Sequence, residues 1–118
     1  MEYNSLQIYS LMRYQLFIGR WQPFHEGHQK LIQTVIDEGK TPLVAIRDTE
    51  IDEKNPFTVE QRKEFIREVF PNIEIIVIPD IEAVCYGRDV GYEVRKIDLD
   101  KETEEISATK IRESMKHD

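Results

Sequence analysis

The stretch Gln15-Leu16-Phe17-Ile18-Gly19-Arg20-Trp21-Gln22-Pro23-Phe24-His25-Glu26-Gly27-His28 decides the fold. Its first five residues form an apolar run that stops at a glycine, which reads as a strand. Beyond it the period changes. Leu31, Ile32, Val35 and Ile36 recur at helical spacing and stop at Gly39, a residue suited to the position just past a helix end. A strand therefore passes through a short loop into a helix from about Glu26 to Glu38.

The same alternation repeats downstream. Leu43-Val44-Ala45-Ile46 reads as a buried strand. Thr58-Val59-Glu60-Gln61 has capping-box spacing and opens a helix carrying Val59, Ile66, Val69 and Phe70, which Pro71 ends. Ile73 to Ile78 is the strongest strand pattern in the chain, and Val84-Cys85-Tyr86 and Tyr92-Glu93-Val94 are shorter candidates. Ser107 caps a last short helix with Ile111 and Met115 on one face. Strands and helices alternating through short connections predict an α/β fold. The expected form is a Rossmann-like three-layer sandwich with a mainly parallel sheet and helices on both faces. In such sheets ligands bind beyond the carboxyl ends of the strands, which directs attention to the loop after the first strand.

A length of 118 residues suits one domain with one core. Residues 1–12 precede the first strand, and Met12 could itself serve as a start. They are expected to be an N-terminal appendage to a single domain spanning residues 13–118. The first residues show neither a basic region nor an apolar run of the secretory kind, and no run approaches the roughly 20 apolar residues that cross a bilayer. A cytoplasmic protein with no membrane partner is the expectation. Cys85, the single cysteine, cannot form an internal disulfide and is expected to be a small buried core residue. The formal net charge of −7 argues against a nucleic-acid partner, whose phosphates are neutralised by clustered Lys and Arg. A small phosphorylated ligand needs only a local positive cluster, and two are present. A homo-oligomer is left open.

The first cluster follows the first strand. His25 and His28 lie three residues apart at the start of the helix, so both imidazoles can face one side. The free N–H groups and positive dipole end of that helix face the same space. Gly19 and Gly27 carry no Cβ; at Gly27 an anion could approach the backbone closely. Arg20 and Lys30 add positive charge. Two His at this spacing lack the third ligand of a recognisable metal motif, so no metal site is expected among the protein side chains. The second cluster is Ile106-Ser107-Ala108-Thr109-Lys110-Ile111-Arg112. There a second helix start stands beside two hydroxyls, an ammonium and a guanidinium able to bind phosphate bidentately. Asp98 and Asp100 read as solvated carboxylates. Arg47 and Arg88 follow strands and could reach the site, and Trp21 and Phe24 either wall a pocket or pack the loop.

Together the two motifs resemble those of the H-x-G-H nucleotidyltransferase superfamily, which pairs a first-strand H-x-G-H with a late I-S-x-T-x-I-R. Ile18 to His28 is similar to the I-G-R-F-Q-P-F-H-x-G-H of archaeal-type nicotinamide-mononucleotide adenylyltransferases, with Trp21 in place of Phe. Asn55-Pro56-Phe57-Thr58 followed by Gln61-Arg62 resembles their N-P-F-T-x-x-E-R, and Ile78-Pro79-Asp80-Ile81 their I-P-D-I. The likeness runs from Leu16 to about Arg112. It departs between Ile81 and Tyr92, where that group carries a longer stretch, and the compact ending is closer to cytidylyltransferases.

The resemblance implies transfer of a nucleoside monophosphate, AMP from ATP first, to a small phosphorylated acceptor with release of pyrophosphate. A cytidylyltransferase forming a CDP-activated alcohol is the alternative, and a non-catalytic nucleotide-binding module ranks after it. It implies that His25, His28, Thr109 and Arg112 hold the triphosphate, with Ser107 adding its hydroxyl or N–H. His28 would stabilise charge on the α-phosphate and Arg112 the departing pyrophosphate. Gly19, Arg20, Gly27, Lys30, Arg88 and Lys110 are the remaining nucleotide-binding candidates, and Mg²⁺ is expected to arrive with the nucleotide. The P-loop pattern G-x-x-x-x-G-K-[ST] is absent, which excludes that class of NTPase.

Overall fold

The computed structural model describes residues 13–116; the expected appendage, residues 1–12, lies outside the described residues. Three strands alternate with two helices: β1 (Tyr14–Gly19), α1 (Glu26–Asp37), β2 (Thr41–Asp48), α2 (Val59–Val69) and β3 (Glu74–Pro79). Two shorter helices follow, α3 (Lys101–Glu104) and α4 (Ala108–Lys116). The strands pair in parallel in the order β1-β2-β3. All three carboxyl ends, Gly19, Asp48 and Pro79, therefore lie along one edge of the molecule. The alternation read from the sequence is the observed one.

Local chemistry sets the helix limits. Thr58 caps α2 through a reciprocal box: its hydroxyl accepts from the Gln61 N–H while the Gln61 side chain accepts from the Thr58 N–H. Gly39, at φ +76°, follows the C-cap Glu38 of α1 in the left-handed region that side chains with a Cβ avoid. Helix α3 was not legible in the sequence. It is a single turn capped by Asp100, whose carboxylate accepts from the Thr103 N–H.

Register explains the core. Phe17, Val44 and Ile75 align across the sheet on one face, and Ile46 lies on that face beside Gly19. They pack with Ile32 of α1 and Ile66 of α2, joined by Trp21 and Phe24 from the loop after β1. Burying each such aliphatic side chain contributes about 1.5–3 kcal/mol. Both crossover helices thus cover the same face. Neither forms the second helical layer expected on the other one. The reason is topological: strands added successively in one direction with crossovers of one hand place every helix on one side. On the opposite face Leu16 and Ile18 are 53% and 38% exposed.

The strand candidates at 84–86 and 92–94 form no ladder. The segment from Asp80 to Asp100 runs over the surface, and Cys85 within it is exposed rather than buried, because no neighbouring strand covers it. It is tied down at Arg95, whose guanidinium grips the Glu38 carboxylate at 2.6 and 2.7 Å and reaches the Gln15 side chain at 3.3 Å.

Candidate functional site

The loop Arg20–Phe24 leaves the carboxyl end of β1 and delivers His25 to the start of α1. Trp21 adopts φ 56°, a left-handed turn unusual for a residue with a side chain. It is held there by an indole N–H donated to the Ala45 carbonyl at 3.1 Å. Its ring lies over Gly19, where an added Cβ would come within 2.9 Å of the indole. Gln22 is buried and grips the Phe57 backbone with both ends of its amide, donating to the carbonyl at 3.1 Å and accepting from the N–H at 3.0 Å.

His25 is the N-cap of α1. Its Nδ1 accepts from the N–H groups of Gly27 and His28 at 3.1 and 3.4 Å, and the Nδ1 of His28 accepts from the His25 N–H at 3.2 Å. A backbone N–H can only donate, so each Nδ1 presents a lone pair and each ring is neutral, with its proton on Nε2. Burial agrees: it lowers the His25 pKa and pushes that of His28 down to about 3, the nearby His25 adding to the second effect. The two rings stack with centroids 3.7 Å apart. Phe24 also stacks with His28, at 5.8 Å, and Trp21 meets His28 in a T-shaped contact at 4.7 Å. Trp21 and Phe24 therefore pack the loop.

Two expectations change here. The N–H groups of Gly27 and His28 are not open to an anion, because the His25 ring takes them. The space over Gly27 is likewise filled by that ring: a Cβ on Gly27 would stand 2.9 Å from its Cε1. Gly19 at the end of β1 and Gly27 in the first turn of α1 thus admit aromatic rings to the backbone. What the cluster offers instead is two neutral imidazoles, each with an Nε2–H unspent by the cap.

Of the expected cations, Arg112 joins this cluster. It donates from Nη1 to the Gln22 carbonyl, and its Nη2 reaches the Thr109 hydroxyl at 3.3 Å. The start of α4 is thereby brought onto the loop that carries His25, although some ninety residues separate them in the chain. Ser107 accepts from the Lys110 N–H at 3.2 Å, and Thr109 and Lys110 are exposed on the same first turn. Arg20 is exposed, with a long contact to the Asn55 side chain at 3.5 Å. Among the described residues neither Arg20 nor Arg112 faces a carboxylate.

Other candidates are committed elsewhere. Lys30 donates to the Thr103 hydroxyl at 2.8 Å and pairs with Glu26 and Asp100, so it ties α1 to α3. Arg47 binds Asp80 at 2.6 Å and the Ile81 carbonyl, bracing the loop after β3. Arg88 is exposed on the 80–100 segment. Asp100 is a helix cap, and among the described residues no three His, Cys, Asp or Glu side chains gather as a metal would need. A shallow groove of about 320 Å³, lined by Ile36, Pro42, Val69 and Ile73, opens at the amino end of β2 and β3, away from the histidines.

Two residues that build this site, Gln22 and Arg62, are not among those the sequence marks as ligand candidates. Both are long polar side chains that end up buried. Arg62 carried a signal, since it stands one turn before Ile66 on the buried stripe of α2.

A family model described as cytidylyltransferase-like matches residues 16–94. The nicotinamide-nucleotide adenylyltransferase of Methanococcus aeolicus is 32% identical, the match covering 82% of this chain and 74% of that protein. That of Thermococcus sibiricus is 38% identical over 53 residues, 43% of this chain and 28% of the relative. The chain thus spans under a third of the Thermococcus relative's length. A crystal structure of a bifunctional NMN adenylyltransferase/ADP ribose pyrophosphatase from Francisella tularensis, complexed with AMP and a manganese ion, is 31% identical. It has a TM-score of 0.47, over 58% of this chain and 22% of that one.

Proposed function

The chain belongs to the cytidylyltransferase-like family, and from that premise we propose that it transfers AMP from ATP to a nicotinamide mononucleotide-like acceptor, releasing pyrophosphate. The adenylyl choice is supported by the Methanococcus aeolicus relative, an adenylyltransferase whose match covers most of this chain. One observation carries the catalytic reading: Arg112 is bonded to the loop that seats His25 and His28, so a guanidinium and two imidazole donors share one neighbourhood.

In this reaction an acceptor phosphate oxygen attacks the α-phosphorus. The bond from that phosphorus to the oxygen bridging to the β-phosphate breaks, and pyrophosphate leaves with the electron pair. No proton need be removed from the nucleophile, so the protein's work is positioning and charge neutralisation. His25 and His28 meet phosphate oxygens as neutral Nε2–H donors. Burial holds the His28 pKa down at about 3, so that ring stays a neutral donor across neutral pH. Arg112 supplies the full positive charge, in a planar fork suited to the departing pyrophosphate, with Ser107, Thr109 and Lys110 beside it. Arg20 adds charge at the other side of the loop.

Mg²⁺ suits a site built of donors and cations rather than carboxylates. Carried on the triphosphate oxygens and water, it needs no protein cage and supplies charge neutralisation there. The proposed setting is the cytoplasm. The test is a pyrophosphate-release screen of the four triphosphates against nicotinamide mononucleotide, its nicotinic acid analogue and phosphorylated alcohols. Release with ATP and a mononucleotide is expected. Release with CTP and an alcohol phosphate alone overturns the adenylyl reading, and nucleotide binding without release from any pair overturns catalysis.

A further inference from the structure

Arg62 is the largest fully buried side chain in the described structure, and it has no ion-pair partner in contact. Its fork instead meets three backbone carbonyls from three segments. Nη1 donates to the carbonyls of Arg20 and Arg47, each at 2.8 Å, and Nε to that of Thr58 at 3.2 Å. Nη2 is buried with no acceptor. For stability alone this is a poor use of the position: a guanidinium gives up its hydration, and an apolar side chain of like volume would fill the space without that loss. What an apolar side chain cannot do is hold three carbonyls at fixed separations.

The three carbonyls are well chosen. Arg20 opens the loop that seats the histidines, Arg47 stands at the carboxyl end of β2, and Thr58 is the N-cap of α2. The connection continues from both ends. The Arg47 side chain binds Asp80 and the Ile81 carbonyl beyond β3, and the Gln22 amide grips Phe57 next to Thr58. Arg62 is thus the shared node linking the carboxyl ends of all three strands. We infer that Arg62 is a positioning residue: its buried guanidinium sets the Arg20–Phe24 loop against the end of β2, and so fixes where His25 and His28 stand. For the transfer proposed above, its loss should lower turnover more than substrate binding, because a displacement of about 1 Å at the reacting centre costs on the order of 100-fold in rate.

Trp21 makes this testable apart from activity. It is the single tryptophan, it directly follows Arg20, and it is buried, so its emission reports the seat of the loop. The experiment compares wild type with Arg62→Met and Arg62→Lys by far-UV circular dichroism, Trp21 emission with acrylamide quenching, and kcat and KM for pyrophosphate release. Arg62→Lys keeps charge and most of the volume but has no fork. Both variants are expected to keep the wild-type dichroism, shift Trp21 emission to the red with stronger quenching, and lose about 10- to 100-fold in kcat with KM changed far less. Wild-type Trp21 emission and kcat in a folded Arg62→Lys protein would overturn the inference, as would loss of the folded state in both variants, which would assign Arg62 to general stability. Should wild type catalyse no transfer, the transfer reading fails while the Trp21 measurement still decides the role of Arg62.

Discussion

Acidification should destabilise this protein through His28. In the unfolded chain its imidazole takes a proton near the ordinary pKa of 6.5; in the folded protein burial, and then the neighbouring His25, hold protonation off until about pH 3. Between those values the unfolded state binds more protons, so lowering the pH favours unfolding. The stabilisation is fully present above 6.5 and is lost progressively as the pH falls toward 3. At about 1.4 kcal/mol per pH unit, going from pH 7 to pH 5 removes about 2 kcal/mol. His25, also shifted downward by burial, adds to the slope in the same direction. The assay is urea unfolding of wild type and His28→Asn at both pH values. Asparagine does not titrate, and its amide oxygen can accept from the His25 N–H as Nδ1 does. The surface carboxylates act alike in both proteins and cancel in the comparison. The variant should therefore lose about 2 kcal/mol less than wild type between pH 7 and pH 5. An equal loss in the two proteins, or an imidazole resonance of His28 titrating near 6.5, would refute a ring held neutral by its surroundings.

Three further outcomes follow from the same geometry. His25→Asn keeps a good N-cap acceptor but removes the Nε2–H, so stability should stay within about 0.5 kcal/mol while turnover falls about 100-fold; His25→Ala should lose about 1 kcal/mol as well. Unfolding and pyrophosphate-release measurements separate the two, and a near-normal rate in His25→Asn removes Nε2 from the mechanism. Gly27→Ala drives a Cβ into the His25 ring, so turnover should drop at least about tenfold while the helix propensity gained offsets much of the cap strain; a wild-type rate would mean the ring finds another seat. Arg112→Ala should cost about 100-fold in kcat with the melting temperature little changed, and a rate within twofold of wild type would take Arg112 out of the chemistry.

The strand-helix alternation, the α2 capping box and the end of α1 at Gly39 were all readable from residue order. Each depends on neighbours within a few positions: a 2.0 or 3.6 period, a reciprocal side-chain bond, a backbone angle that glycine tolerates. His25, His28 and Arg112 stand out as site candidates by residue type and motif. Their chemical state does not. Whether an imidazole is a cation or a neutral donor depends on what fills the space around it, and here burial and three backbone N–H groups settle that. The same holds for Gly19 and Gly27, whose open faces receive rings from two residues away. Lys30 and Arg47 looked like ligand cations until folding brought Asp100 and Asp80 beside them. Arg62 is the extreme case. Residue order marks it as a charge on an apolar stripe, but its meaning comes from three carbonyls supplied by separate segments, and only chain folding brings those within reach of one guanidinium.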